Sequence, residues 1–132
     1  VTPLVFEGSI RDNLLYGNDI KINDEKLISM LEDFNFYNDK IINLDDNISN
    51  RSLSSGQLQK ISFIRCLLNE SSMLLLDESM SNLDTSSKRH IFDVLNEKNV
   101  TIINCTHNIS DFEFDYHLRI TVENENRILN FI

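Results

Sequence analysis

The chain has 132 residues, a net charge of −9, 41% hydrophobic residues and 25% charged ones. That composition suits one folded unit with a buried core, or a part of a larger one. The acidic balance argues against a nucleic-acid partner and an anionic membrane surface, and the longest purely apolar run, Met73 to Leu76, falls far short of the ~20 residues of a spanning helix.

The acids are scattered and read mostly as a solvated face. Cys66 and Cys105 lie far apart in apolar settings and read as small buried hydrophobes of a reducing compartment. The chain does not begin with Met and shows no signal peptide, repeat or low-complexity linker.

In chain order, VTPLVFEGS is an apolar entry, and Ser9 caps a short helix over IRDNLLY that Gly17 ends. NDEKLISMLEDFNF predicts a helix with Leu27, Ile28, Leu31 and Phe34 on one face and acids in its first turn. YNDKIINL is a weaker helical piece, and DDNISNRS a polar loop. Ser54 with Gln57 forms a capping box, followed by Leu58, Ile61, Ile64, Arg65 and Leu68, with Phe63 and Leu67 widening the apolar face; the spacing predicts a helix from about Ser55 to Leu68. SMLLLD (72–77) reads as a strand buried on both faces, SSKRHIFDVLNEK (86–98) as a helix capped by Asp84 or Thr85, and NVTIINCTH as a second buried strand. HLRITVENENRILNFI reads as two strands joined at ENEN. Strand, helix, strand implies a parallel crossover, so the architecture is α/β.

Three places carry chemistry. The first N–H groups of the 55–68 helix are unpaired and sit at the positive end of its dipole, and Gly56 permits close backbone approach, so SSGQ can cradle a phosphate. The 72–77 strand ends in Asp77 and Glu78: Asp77 offers Mg²⁺ a hard oxygen, and Glu78 can polarise a water. The second strand runs into Thr106 and His107. His90 and His117 suggest no chemistry.

In combination these segments resemble the nucleotide-binding cassette of ABC transporters, specifically its C-terminal part. LSSGQ (53–57) is similar to the LSGGQ signature, MLLLDE (73–78) to the Walker B strand, SNLD (81–84) to the D-loop, and Thr106-His107 to the switch-histidine position. The resemblance runs from Val1 to Ile132, and FEGSIRDNLLYG (6–17) resembles the matching stretch of exporter-type cassettes. It implies a P-loop NTPase-like fragment: a helical subdomain with the signature over about 9–70, and the C-terminal part of a mainly parallel RecA-like sheet core over about 71–132. It also implies ATP binding and hydrolysis powering export, at the cytoplasmic face of the cell membrane, with Mg²⁺, a transmembrane domain and a second cassette as partners. Ser54, Ser55, Gly56 and Gln57 would contact the γ-phosphate of the second cassette's nucleotide. Asp77 would serve Mg²⁺, Glu78 would be the general base, His107 would bind the γ-phosphate and attacking water, and Ser81 and Asp84 would couple the two sites.

The chain departs from the family pattern in four places. No G-x-x-x-x-G-K-[ST] occurs, since Gly8, Gly17 and Gly56 are the only glycines and none opens such a loop; the expectation is that the P-loop lies upstream and that these 132 residues alone are inactive. Val1 stands where the family has the Q-loop Gln, Ser55 replaces a signature Gly, and the loop before the signature lacks the exporter Gly and Glu. Two other readings compete: a non-hydrolysing docking or dimerisation half-cassette, and a soluble ABC-type ATPase of DNA repair.

Overall fold

The computed structural model describes residues 5–19, 21–108, 113–123 and 125–132. The entry residues Val1 to Leu4, including the Q-loop position, and Asn124 of the ENEN turn lie outside these.

A two-residue strand, β1 (Gly8–Ser9), leads into helix α1 (Ile10–Leu15), whose cap Ser9 accepts the Asp12 N–H through its hydroxyl. Helix α2 (Asp24–Asp33) is capped by Asn23, which accepts from the Lys26 N–H. The Arg11 guanidinium joins the two helices by pairing with Asp24 and also reaches Asp45. A second short strand, β2 (Asn47–Ile48), pairs antiparallel with β1. The polar loop therefore contributes a strand; its Asp46 carbonyl also accepts the Ile10 N–H at 3.0 Å, and the carbonyl of Leu44, just before it, accepts the Arg11 N–H at 2.9 Å. Fully buried Asn13 satisfies this junction, bonding the Phe6 N–H, the Phe6 carbonyl and the Ser9 carbonyl.

The helical piece expected over YNDKIINL does not form; the segment is bends over 37–40, irregular chain over 41–43 and a turn at Leu44. Helix α2 is stopped by Asn35, which takes a left-handed φ of 49°. The Phe36 N–H closes on the Leu31 carbonyl at 2.9 Å and the Asn35 N–H on the Glu32 carbonyl at 2.8 Å, which is a Schellman stop. Downstream, the Asn43 side chain accepts the Asp45 N–H, a turn that competes with helix.

Helix α3 (Ser55–Leu68) starts and ends where the periodicity places it. Leu58, Ile61, Phe63, Ile64, Leu67 and Leu68 enter the core, where they meet Ile10, Leu14, Leu27, Leu31, Phe34 and Phe36; each such side chain contributes about 1.5–3 kcal/mol on full burial. Arg65 is half-buried and donates its Nε–H to the Asn13 carbonyl at 2.8 Å.

Strand β3 (Met73–Asp77), helix α4 (Thr85–Glu97) and strand β4 (Thr101–Cys105) form the expected unit: the strands pair in parallel from Met73↔Thr101 to Asp77↔Cys105. Neither strand is buried on both faces. Leu74 and Leu76 join the core, whereas Leu75 is 72% exposed and Ile103 52% exposed. Among the described residues these two strands pair only with each other, and no second layer covers the outer face. Cys105 is accordingly exposed and Cys66 half-buried, against the expectation that both are buried. Strands β5 (Leu118–Glu123) and β6 (Asn126–Phe131) form a separate antiparallel hairpin with Glu123 opposite Asn126. No helix among the described residues is long and apolar enough to cross a membrane.

Candidate functional site

The start of α3 is held by a complete capping box. The Ser54 hydroxyl accepts the Gln57 N–H at 3.2 Å, and the Gln57 Oε1 accepts the Ser54 N–H at 2.9 Å. The Gln57 amide also donates to the Phe36 carbonyl at 3.1 Å, anchoring the helix start to the stop of α2. Ser54 and Ser55 are exposed. Gly56 faces the chain itself: a Cβ there would sit 2.8 Å from the Asn82 carbonyl oxygen. The glycine thus lets the helix start lie directly against the 81–84 segment. Ser54, Ser55, Gly56, Asn38, Asn82 and Asp84 line an open cleft of about 530 Å³.

The second group forms at the strand ends. The Asp77↔Cys105 register carries the chain beyond both strands on the same side, and this brings Glu78 and His107 together. The Glu78 N–H extends the ladder to the Cys105 carbonyl at 2.9 Å. The Glu78 Oε1 accepts the His107 backbone N–H at 3.0 Å, and the His107 Nε2 lies 3.7 Å from the same oxygen. Glu78 itself takes a left-handed φ of 48°, and its carbonyl accepts the Ser81 hydroxyl at 3.1 Å. Glu78, Ser79, Ser81, Thr106 and His107 line a recess of about 220 Å³. Asp77 ends β3 with an exposed side chain.

Asp84 has a role that sequence reasoning understated. It caps α4 by accepting the Ser87 N–H and the Ser86 and Ser87 hydroxyls, each at 2.8 Å, and it pairs with the Lys60 ammonium at 2.7 Å. Partial burial opposes its charge, but Lys60 and these donors outweigh that and hold the carboxyl well below the usual carboxylate range. Buried Lys60 also donates to the Asn35 carbonyl at 3.1 Å. Buried Gln59, likewise missed, bonds the Glu78 carbonyl, the Ser81 hydroxyl and the Asn82 N–H. A signal for Lys60 was present: it shares a helical row with Ile64 and Leu67, and a charge on an apolar row needs a buried partner.

The ABC transporter family model matches residues 3–81. The chain belongs to the ABC transporter family. The sublancin-168-processing and transport ATP-binding protein SunT of Bacillus subtilis is 32% identical over 96% of this chain and 18% of its own length. A putative export ATP-binding/permease protein of Rickettsia felis is 37% identical over 88% of the chain and 21% of its own. The glutathione/L-cysteine transport system ATP-binding/permease protein CydC of Haemophilus influenzae is 34% identical over 83% of the chain and 20% of its own. The chain therefore spans about a fifth of the length of these curated relatives.

The site residues expected from the sequence fall into two linked groups. Ser54 to Gln57 lie at the start of α3; Asp77 ends β3, and Glu78, Ser81 and His107 line the recess beyond it, with the 81–84 segment between the two groups. Among the described residues no three His, Cys, Asp or Glu side chains gather as a metal cage. Exposed Asp77 suits Mg²⁺ as one hard ligand, since that ion keeps waters and takes its remaining oxygens from a substrate phosphate.

Proposed function

We propose that this chain is the signature-bearing and water-activating part of an ATPase that powers export across a membrane. The observation that carries the reading is the convergence of Glu78 and His107, 29 residues apart, on one recess at the ends of two parallel strands. Ligands of parallel α/β sheets bind beyond the carboxyl ends of the strands. The names of the relatives, which include export ATP-binding/permease proteins, support the export direction and a transmembrane partner; in this reading the cassette works at the cytoplasmic face.

In this reading Glu78 orients the attacking water and takes its proton, while His107 holds the γ-phosphate and that water. Asp77 would hold Mg²⁺, which neutralises phosphate charge when bound. The start of α3 offers the open N–H groups of its first turn and the hydroxyls of Ser54 and Ser55 to the γ-phosphate of a nucleotide on a second cassette. Ser81 and Asp84 lie on the segment that would meet that cassette. Asp84 does so indirectly, since its carboxylate is engaged by Lys60 and the α4 cap. Catalysis is then mainly positioning and electrostatics. The phosphate-cradling loop would come from outside these residues, as no Walker A pattern occurs within them.

The test is Glu78→Gln in the full-length transporter. Hydrolysis is expected to fall at least ~100-fold, the scale of a lost general base, with ATP binding retained. Undiminished turnover would refute the role of Glu78.

A further inference from the structure

Gln59 sits in α3, just past the turn that carries Ser54 to Gln57, and the residue is only 5% exposed. A buried amide must find partners. All of those it finds lie in one short segment. Its Nε2 donates to the Glu78 carbonyl at 3.4 Å and to the Ser81 Oγ at 3.3 Å, and its Oε1 accepts the Asn82 N–H at 3.0 Å. One side chain thus grips both ends of the turn 78–82.

That turn begins at Glu78 in a left-handed conformation, which a residue with a side chain holds only when its surroundings over-determine it. Gln59 supplies such a constraint at the Glu78 carbonyl, while the Cys105 carbonyl and the His107 N–H fix the other groups of the same residue. Gly56, on the preceding helical turn, lies against the Asn82 carbonyl. The start of α3 and the turn bearing Glu78 are therefore tied together within one chain.

We propose that Gln59 is a positioning residue for hydrolysis. It holds the backbone of Glu78 so that the carboxylate stays on the His107 N–H, and it passes any displacement of the α3 start to the Glu78 of the same chain. In a pair of cassettes, contact of α3 with one nucleotide would then be felt at the water-activating carboxylate of the other site. This inference rests on the catalytic reading of Glu78.

The experiment measures MgATP hydrolysis by the full-length transporter carrying Gln59→Met, Gln59→Glu, Glu78→Gln or Phe63→Leu. Gln59→Met keeps the length of the side chain and removes the amide. Gln59→Glu keeps an acceptor for Asn82 and loses the donors to Glu78 and Ser81. Both are expected to lower kcat about 10- to 100-fold, the scale of a small misplacement of a catalytic group, with KM within about twofold. Phe63, buried on the same helix, serves as the structural control: Phe63→Leu is expected to lower the melting temperature without lowering kcat. If Gln59→Met does not fold, Gln59→Glu carries the comparison.

Unchanged kcat in the Gln59 variants, with Glu78→Gln inactive, would overturn this inference alone. A kcat loss in Phe63→Leu matching that of Gln59→Met at equal loss of melting temperature would also overturn it, because Gln59 would then be only structural. Full turnover in Glu78→Gln would instead overturn the catalytic reading itself.

Discussion

Replacing Gly56 by alanine sets two effects of opposite sign against each other. In a helix interior, alanine is favoured over glycine by about 1 kcal/mol. At this position, however, the new methyl carbon would stand 2.8 Å from the Asn82 carbonyl oxygen, where ordinary contact begins near 3.4 Å. About 0.6 Å must open between α3 and the 81–84 segment, and the obstacle is backbone, not a side chain that could swing away. Overpacking of that kind costs about 1–3 kcal/mol. The net expectation is destabilisation by about 1 kcal/mol, or a fall of roughly 3–5 °C in Tm for a chain of this size. Thermal unfolding followed by far-ultraviolet circular dichroism reads it directly. Ser55→Ala, one residue earlier at an exposed position, is the control and should leave Tm level or slightly raised. If Gly56→Ala raises Tm by more than Ser55→Ala, helix propensity has won, and the close approach of Asn82 does not exist.

Acid unfolding should report Asp84. Its folded carboxyl titrates below the ordinary range, so the stability it contributes is fully present above about pH 4 and is lost as pH falls toward the lower folded value. Asp84→Asn should flatten the acid limb of urea midpoints between pH 2 and 5 by about 1 kcal/mol or less, since the carboxylate is half exposed; an unaltered limb would contradict the pairing with Lys60. Asn13→Ala should lower the unfolding free energy by about 2–3 kcal/mol, because the Phe6 and Ser9 groups lose their buried partner. Urea titration checks this, and a loss below ~0.5 kcal/mol would show that water replaces the amide.

What was legible in the chain was what short-range chemistry decides. Ser54 and Gln57 specify the start of α3 on their own, and apolar spacing carries that helix to Leu68. The apolar runs at 73–77 and 101–105 mark strands equally well, but hydrophobicity does not say which layer will cover each face, so the exposure of Leu75 and Ile103 was hidden. YNDKIINL misled because its apolar residues are spaced like a helix, while Asn35 just before it takes a left-handed φ and Asn43 bonds the nearby Asp45 N–H, turning the chain. Within the candidate site, Glu78 and His107 could be nominated from strand ends, yet their meeting depends on the register of β3 and β4. Gln59 escaped notice because an amide on a helix usually faces water, and only the fold of residues 78–82 shows why this one is buried.

The backbone at Glu78 sets stability against chemistry. A left-handed conformation costs an ordinary residue about 1–2 kcal/mol that glycine is spared. A library of this chain sorted for thermal resistance alone should therefore enrich Gly or Asn at position 78, discarding the carboxylate. Carried in the full-length transporter and sorted for ATP-driven transport, the same library should return Glu if the proposed role of Glu78 holds. On the proposed catalytic reading, a cassette in which position 78 has drifted to glycine would be a more durable protein whose recess can no longer activate water.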